Sequence, residues 1–278
     1  MSTGAFSTAD PLFSVPKPVI GVVHSLPLPG APGYRGQPME EVYRYAVEEA
    51  SAYARGGVDA VIVENAADLP FLKPDEIGHE TVTAMAVMAA RVREAVKLPV
   101  GISCLADGVI PALAIAKASG AAFVRATQWV NAYIGNAGFV DARAPKALRY
   151  RAAIGAEGVR VFADILVKHG SHAIVADRGL AEQAHDAEWY KADALIVTGT
   201  RTGAATPVED VAEVKAATSL PVLVGSGANP ENIAALLRHA DGVIVGSALK
   251  QGGVWWQRVD PEKVAHFVAA VRRVRDSL

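Results

Sequence analysis

A chain of 278 residues that is 51% apolar and 20% charged, with a formal net charge of -2, can bury a substantial core, which excludes an intrinsically disordered protein. Its basic residues are scattered instead of clustered, which excludes an extended nucleic-acid interface. The lone cysteine, Cys104, has no internal disulfide partner, no secretory leader is evident, and the longest apolar runs fall short of the roughly 20 residues that cross a bilayer, so a cytoplasmic protein with no integral membrane segment is expected.

Residues 1–16 are rich in Ser, Ala and Pro without periodicity and predict a flexible arm; residues 17–278 form the folded domain. Short β-branched runs at 18–24, 59–64, 99–105, 122–127, 159–166, 194–198, 221–226 and 241–246 predict strands. Between them, helical spacing predicts helices over 39–55, 78–96, 109–119, 144–154, 179–190, 207–217, 230–239 and 261–277, with Asn229-Pro230 and Asp260-Pro261 as cap and first position of the last two. Near-continuous Val/Ile/Leu strands are those of a parallel sheet covered on both faces. Eight alternating units predict a single closed (β/α)8 TIM barrel; an open doubly wound sheet gives no reason to stop at eight.

Three phrases echo one another: Gly57-Val58-Asp59-Ala60-Val61-Ile62-Val63, Lys191-Ala192-Asp193-Ala194-Leu195-Ile196-Val197 and His239-Ala240-Asp241-Gly242-Val243-Ile244-Val245. Each puts an Asp at the bottom of a strand, away from the chemical face of a barrel, so these carboxylates are expected to hold turns and helix ends.

Barrel chemistry collects where the strands end, and here those ends are polar. His24, Glu64, Asp164 and Lys168 are the candidate catalytic groups, because facing carboxylates and a histidine can hold separated pKa values for general acid and base work. Glu64 and Asp164 are also the candidate ligands for a divalent metal, the one cofactor considered. Lys168 shares strand parity with Asp164 and is a Schiff-base amine, a proton carrier or a phosphate contact; His169 has the opposite parity. Arg125 serves either as a substrate contact or as the partner of Glu64 or Asp164, and Asn65, Ser103, Thr198 and Gly199 are further candidate substrate contacts. Gly225-Ser226-Gly227 and Gly246-Ser247 end the seventh and eighth strands, where barrels commonly hold a phosphate on backbone N–H groups.

The fourth connection carries Gln128-Trp129-Val130-Asn131-Ala132-Tyr133-Ile134-Gly135-Asn136-Ala137-Gly138, which reads as an irregular lid or an oligomer contact. Trp255-Trp256 raises the same choice between a subunit interface and packing at the barrel mouth, and a homo-oligomer is expected.

The run from His24-Ser25-Leu26-Pro27 to Pro32, the segment from Gly56 to Asn65, Phe162-Ala163-Asp164-Ile165-Leu166-Val167-Lys168-His169, Ile196-Val197-Thr198-Gly199 and Val222-Leu223-Val224-Gly225-Ser226-Gly227 resemble the BtpA/SgcQ family over residues 18–259. The resemblance implies a fold similar to the ribulose-phosphate-binding barrels. It also implies either a role in assembling or stabilising photosystem I, as in cyanobacteria, or a sugar-metabolism enzyme, as relatives in other organisms look to be. Departures fall in the third strand, Gly101-Ile102-Ser103-Cys104-Leu105-Ala106-Asp107, where relatives tend to have Asn and Arg, and at Gly135-Asn136-Ala137-Gly138, which lacks an acidic lid residue; both imply a shifted substrate or a subgroup with its own reaction. The expected function is isomerisation, epimerisation or carbon–carbon cleavage of a small phosphorylated sugar or related metabolite. The alternatives are a non-catalytic assembly factor for a membrane complex and a nucleotide or nucleoside enzyme in which Trp129 or Tyr133 stacks on the base.

Overall fold

The computed structural model describes residue 6 and residues 12–277. In chain order its strands are β1 (Val19–His24), β2 (Ala60–Glu64), β3 (Val100–Ser103), β4 (Phe123–Ala126), β5 (Ala132–Gly135), β6 (Gly138–Asp141), β7 (Arg160–Ile165), β8 (Ala194–Val197), β9 (Val222–Val224) and β10 (Gly242–Val245). Its helices are α1 (Met39–Gly56), α2 (His79–Val96), α3 (Val109–Ser119), α4 (Ala144–Ala153), α5 (Leu180–Trp189), α6 (Val208–Ala217), α7 (Ile233–Leu236) and α8 (Pro261–Arg275). Eight parallel strands close as β1-β2-β3-β4-β7-β8-β9-β10 and back to β1, the barrel expected. Among the described residues no helix is long and apolar enough to cross a membrane.

Two elements differ from expectation. The fourth connection is not irregular: β5 and β6 form an antiparallel hairpin, pairing Tyr133 with Val140 and Ile134 with Phe139. Meanwhile α7 is shorter than the ten positions of its apolar pattern: the Asn229 side-chain oxygen accepts the N–H groups of Glu231 and Asn232 in the turn that precedes it, and the chain leaves through short bonds from Arg238 to Ala235 and from His239 to Leu236. Asp260 behaves as predicted, its side chain accepting from Glu262 and Lys263 with Pro261 opening α8.

Alternation along the strands sorts the core into two shells. Val23, Val61, Val63, Val124 and Val161 face the helices, whereas Ile20, Ile62, Phe123, Phe162, Ile196, Leu223 and Ile244 fill the barrel. Phe123 and Phe162 stack with centroids 4.7 Å apart, and a Cβ on Gly101 would come within 2.2 Å of the Phe123 ring, so a glycine in β3 makes the room. Phe13 and Phe6 close the floor beneath them, each under 3% exposed. The arm expected over residues 1–16 is thus held at these two points; residues 1–5 and 7–11 lie outside the described residues.

The three echoing aspartates perform one task. Asp59, Asp193 and Asp241 each accept an N–H at the start of the neighbouring strand, from Val19 at 2.7 Å, Val161 at 2.8 Å and Val222 at 2.9 Å. Each also pairs with a cation on a helix: Arg151 and Lys215 on α4 and α6, which lead into those neighbouring strands, and Arg275 at the end of α8. The bottom of the barrel is therefore pinned by carboxylates, which leaves the top free for chemistry. Asp241→Ala leaves the buried Val222 N–H without its acceptor and removes a carboxylate from Lys215, and is expected to cost about 1–3 kcal/mol in urea unfolding with the cleft chemistry intact.

Candidate functional site

At the C-terminal ends of the strands the inward positions turn from aliphatic to polar. Register places His24 opposite Glu64 and Glu64 opposite Ser103, and the same inward parity brings up Arg125 on β4, Asp164 on β7 and Thr198 just past β8. Above this layer lies a cleft open to solvent. His24, Glu64, Arg125 and Lys168 supply its reactive side chains; the turns after β9 and β10, from Gly225 to Asn229 and from Gly246 to Ala248, supply backbone.

Arg125 and Asp164 form a bidentate pair, Nε to Oδ2 and Nη2 to Oδ1 both at 2.8 Å, with side chains 5% and 0% exposed. Burial opposes the guanidinium charge, but the Asp164 charge and its two bonds outweigh burial and raise the Arg125 pKa. Both oxygens of Asp164 are thereby taken and it does not line the cleft, whereas Arg125 does. Asp164 thus acts through Arg125, holding it charged and aimed. A Glu64–Asp164 metal pair fits poorly for the same reason, and the described residues contain no group of three or more His, Cys, Asp and Glu side chains able to hold an ion.

His24 is 9% exposed, and its Nδ1 lies 2.9 Å from the carbonyl of Trp255. A carbonyl only accepts, so Nδ1 carries the proton and donates it, leaving the Nε2 lone pair toward the cleft. Nε2 stands 3.7 Å from Glu64 Oε1, too far for a direct bond. Burial lowers the His24 pKa from 6.5 to about 4 despite the opposing pull of Glu64, so the ring is a neutral base at pH 7. The indole of Trp255 packs edge-on against it, centroids 5.6 Å apart.

Lys168 lines the cleft; His169 does not, and its Nε2 lies 2.8 Å from the Oγ1 of Thr202, a residue that does. Burial, then the Arg125 charge, push the Lys168 pKa down. In the glycine turn, Ser226 Oγ accepts the Gly199 N–H at 3.0 Å and its carbonyl accepts from Thr206 Oγ1. A Cβ on Gly227 (φ +68) would lie 2.0 Å from the Ala204 carbonyl, and one on Gly225 would strike Ile196 and Thr198, so both positions require glycine. The N–H groups of Gly227, Ala228, Ser247 and Ala248 have no acceptor among the described residues.

Asn65 is not brought to the cleft: it accepts from Leu105 N–H and donates to Asp68 and to the Leu105 carbonyl, bracing the turn after β3. Ser103 and Thr198 lie beneath the lining, their hydroxyls buried with no partner. Neither lid aromatic offers a face to a base. Trp129 is 1% exposed and donates to the Tyr190 carbonyl; Tyr133 stacks on His172 and donates to Asp107, which also takes Thr127. The nucleotide reading therefore loses its stacking residues.

Sequence reasoning missed the support of His24. Lys250 Nζ meets Glu49 Oε2 at 2.6 Å, both buried, and Glu49 also accepts the Val259 N–H, so α1 anchors both ends of the loop that presents the Trp255 carbonyl. A lysine and a glutamate 201 positions apart give no local signal, though Gly252-Gly253 marks the turn.

Because the folded His24 pKa lies below its unfolded value, the unfolded chain binds the extra proton first as pH falls. Stability present above pH 6.5 is expected to decline between 6.5 and about 4, by about 3 kcal/mol in His24 against a His24→Gln control. Ring NMR is expected to show the neutral Nδ1–H tautomer near pH 7, with the imidazolium appearing only as the pH approaches about 4. Arg125→Met strands the Asp164 carboxylate and is expected to cost about 3–5 kcal/mol, read by urea unfolding.

The sequence profile of the BtpA family matches residues 15–273. An uncharacterized protein of Archaeoglobus fulgidus is 42% identical over 92% of this chain and 99% of its own. The Photosystem I biogenesis protein BtpA of Synechocystis sp. is 38% identical over 93% and 89%. Among solved structures, thiamine phosphate pyrophosphorylase from Pyrococcus furiosus aligns with a TM-score of 0.57 at 17% identity, covering 93% of this chain and 96% of that one. N-(5'-phosphoribosyl)anthranilate isomerase from the same organism aligns at 0.56 and 16%, covering 92% and 99%. At such identities the two structures speak to the fold.

Proposed function

The chain belongs to the BtpA family, and for this member we propose an enzyme that acts on a small phosphorylated metabolite, a sugar phosphate or a relative of one, by proton transfer in an isomerisation, epimerisation or carbon–carbon cleavage. The observation that carries this reading is the division of one cleft into two halves: amide-rich glycine turns after β9 and β10, and four ionisable side chains from β1, β2, β4 and the connection after β7. The free N–H groups of Gly227, Ala228, Ser247 and Ala248 take the phosphate, whose negative charge they meet without a counter-cation of their own. Neutral His24 and Glu64 exchange protons with the carbon skeleton, and Arg125 faces the oxygen on which negative charge builds. Both solved neighbours named above carry phosphate compounds in their names, which accords with this choice of ligand. The same reading carries a cytoplasmic, self-associating protein with no nucleic-acid partner.

A second reading, an assembly factor, draws on the name of the 38% identical relative and on Ile134 and Phe139, cross-strand neighbours that stand 44% and 51% exposed on the hairpin.

Thermal-shift titration with inorganic phosphate and a panel of sugar phosphates separates the two. At a hundredfold excess over Kd a ligand of the native state adds about 2.7 kcal/mol and raises Tm. The enzyme reading expects that shift, and its loss in Ser226→Asp, which sets a carboxylate in the turn. A flat response to every phosphate compound transfers the weight to the assembly factor.

A further inference from the structure

We propose that the amine of Lys168 forms an imine with the carbonyl carbon of the phosphorylated substrate. The inference rests on the cleft reading above and adds covalent chemistry to it.

Lys168 stands in the connection after β7 between two non-glycine residues in left-handed backbone, Leu166 (φ 53) and His169 (φ 66). These turns bring Lys168 into the lining of the cleft and leave His169 out of it, bonded to Thr202 at the rim. The Lys168 ammonium has no hydrogen-bond acceptor among the described residues, and Asp164, whose charge lies near, already gives both oxygens to Arg125. Lys250, which is fully buried, shows the structural solution, a 2.6 Å bond to Glu49. A half-buried cation without such a bond, beside an arginine, stabilises little, whereas an amine is well served there because its neutral form is the nucleophile. Desolvation and then Arg125 favour that form against the opposing pull of Glu64 and Asp164.

The step balances without an added oxidant or reductant. The nitrogen lone pair attacks the carbonyl carbon, the C–N bond forms, the π pair moves to oxygen, and one proton passes from the nitrogen to that oxygen to give the carbinolamine. A second proton, delivered by an acid in the cleft, lets that oxygen leave as water, and the iminium remains. A neighbouring C–H or C–C bond then breaks with its electron pair delivered to the iminium, giving an enamine; reprotonation and hydrolysis return the product and the free amine. Glu64 and the Nε2 of His24 line the same cleft and carry these protons.

The test is reductive trapping on the intact chain, with sodium borohydride and either dihydroxyacetone phosphate or glycolaldehyde, followed by peptide mass mapping. The expected result is a single dihydroxyacetone phosphate adduct on Lys168, suppressed about tenfold by inorganic phosphate at ten times its Kd. Lys168→Arg is expected to lose the adduct and keep the thermal shift with phosphate, which shows that the variant folds and binds. Trapping of Lys168 by glycolaldehyde alone retains the imine and removes the phosphate site. A dihydroxyacetone phosphate that stabilises the protein yet gives no adduct, or the same adducts in Lys168→Arg, overturns the imine and leaves the phosphate site standing. Labelling of Lys168 by neither probe overturns it outright.

Discussion

Closing eight strands into a barrel forces one inward residue from each to share a small space at the top, and here a buried bidentate pair between Arg125 and Asp164 occupies the centre of that layer. Removing two charges from water is expensive, and a pair of well-packed apolar side chains serves stability about as well. Its effect is on geometry. Asp164 holds the guanidinium still, the guanidinium faces the cleft, and its field adds to desolvation in lowering the pKa of Lys168. His24 is governed from the opposite side, by a carbonyl that the Lys250–Glu49 pair sets in place. The reactive side chains are thus oriented by groups that do not themselves touch a ligand.

The two ends of the barrel divide the labour. Below, Phe6, Phe13, Phe123 and Phe162 fill the lumen while Asp59, Asp193 and Asp241 tie strand starts to helix ends. Above, glycines replace side chains so that backbone amides reach the cleft. The same residue type, a carboxylate, fastens structure at one end and meets a base at the other; its height along the strand decides which.

The barrel was legible because strand alternation and helical spacing are local properties, and the inward placement of His24, Glu64, Arg125 and Lys168 follows from parity alone. What parity cannot supply is the partner of each group. That both oxygens of Asp164 go to Arg125, that Asn65 braces the turn after β3, and that Trp129 is buried against α5 all depend on distances between segments far apart in the chain. The hairpin in the fourth connection went unread because Gly135 and Gly138 look like loop residues, although they flank a two-residue turn. The shortness of α7 reflects the Asn229 side chain at its start and short bonds from Arg238 and His239 at its end, which an apolar pattern does not reveal.

The central claim is that the turns after β9 and β10 hold a phosphate group opposite the reactive side chains. Backbone amide NMR during titration with inorganic phosphate addresses it most directly. The account predicts saturable shifts concentrated on Gly227, Ala228, Ser247 and Ala248; shifts absent there, or spread over surface lysines without saturation, would contradict it.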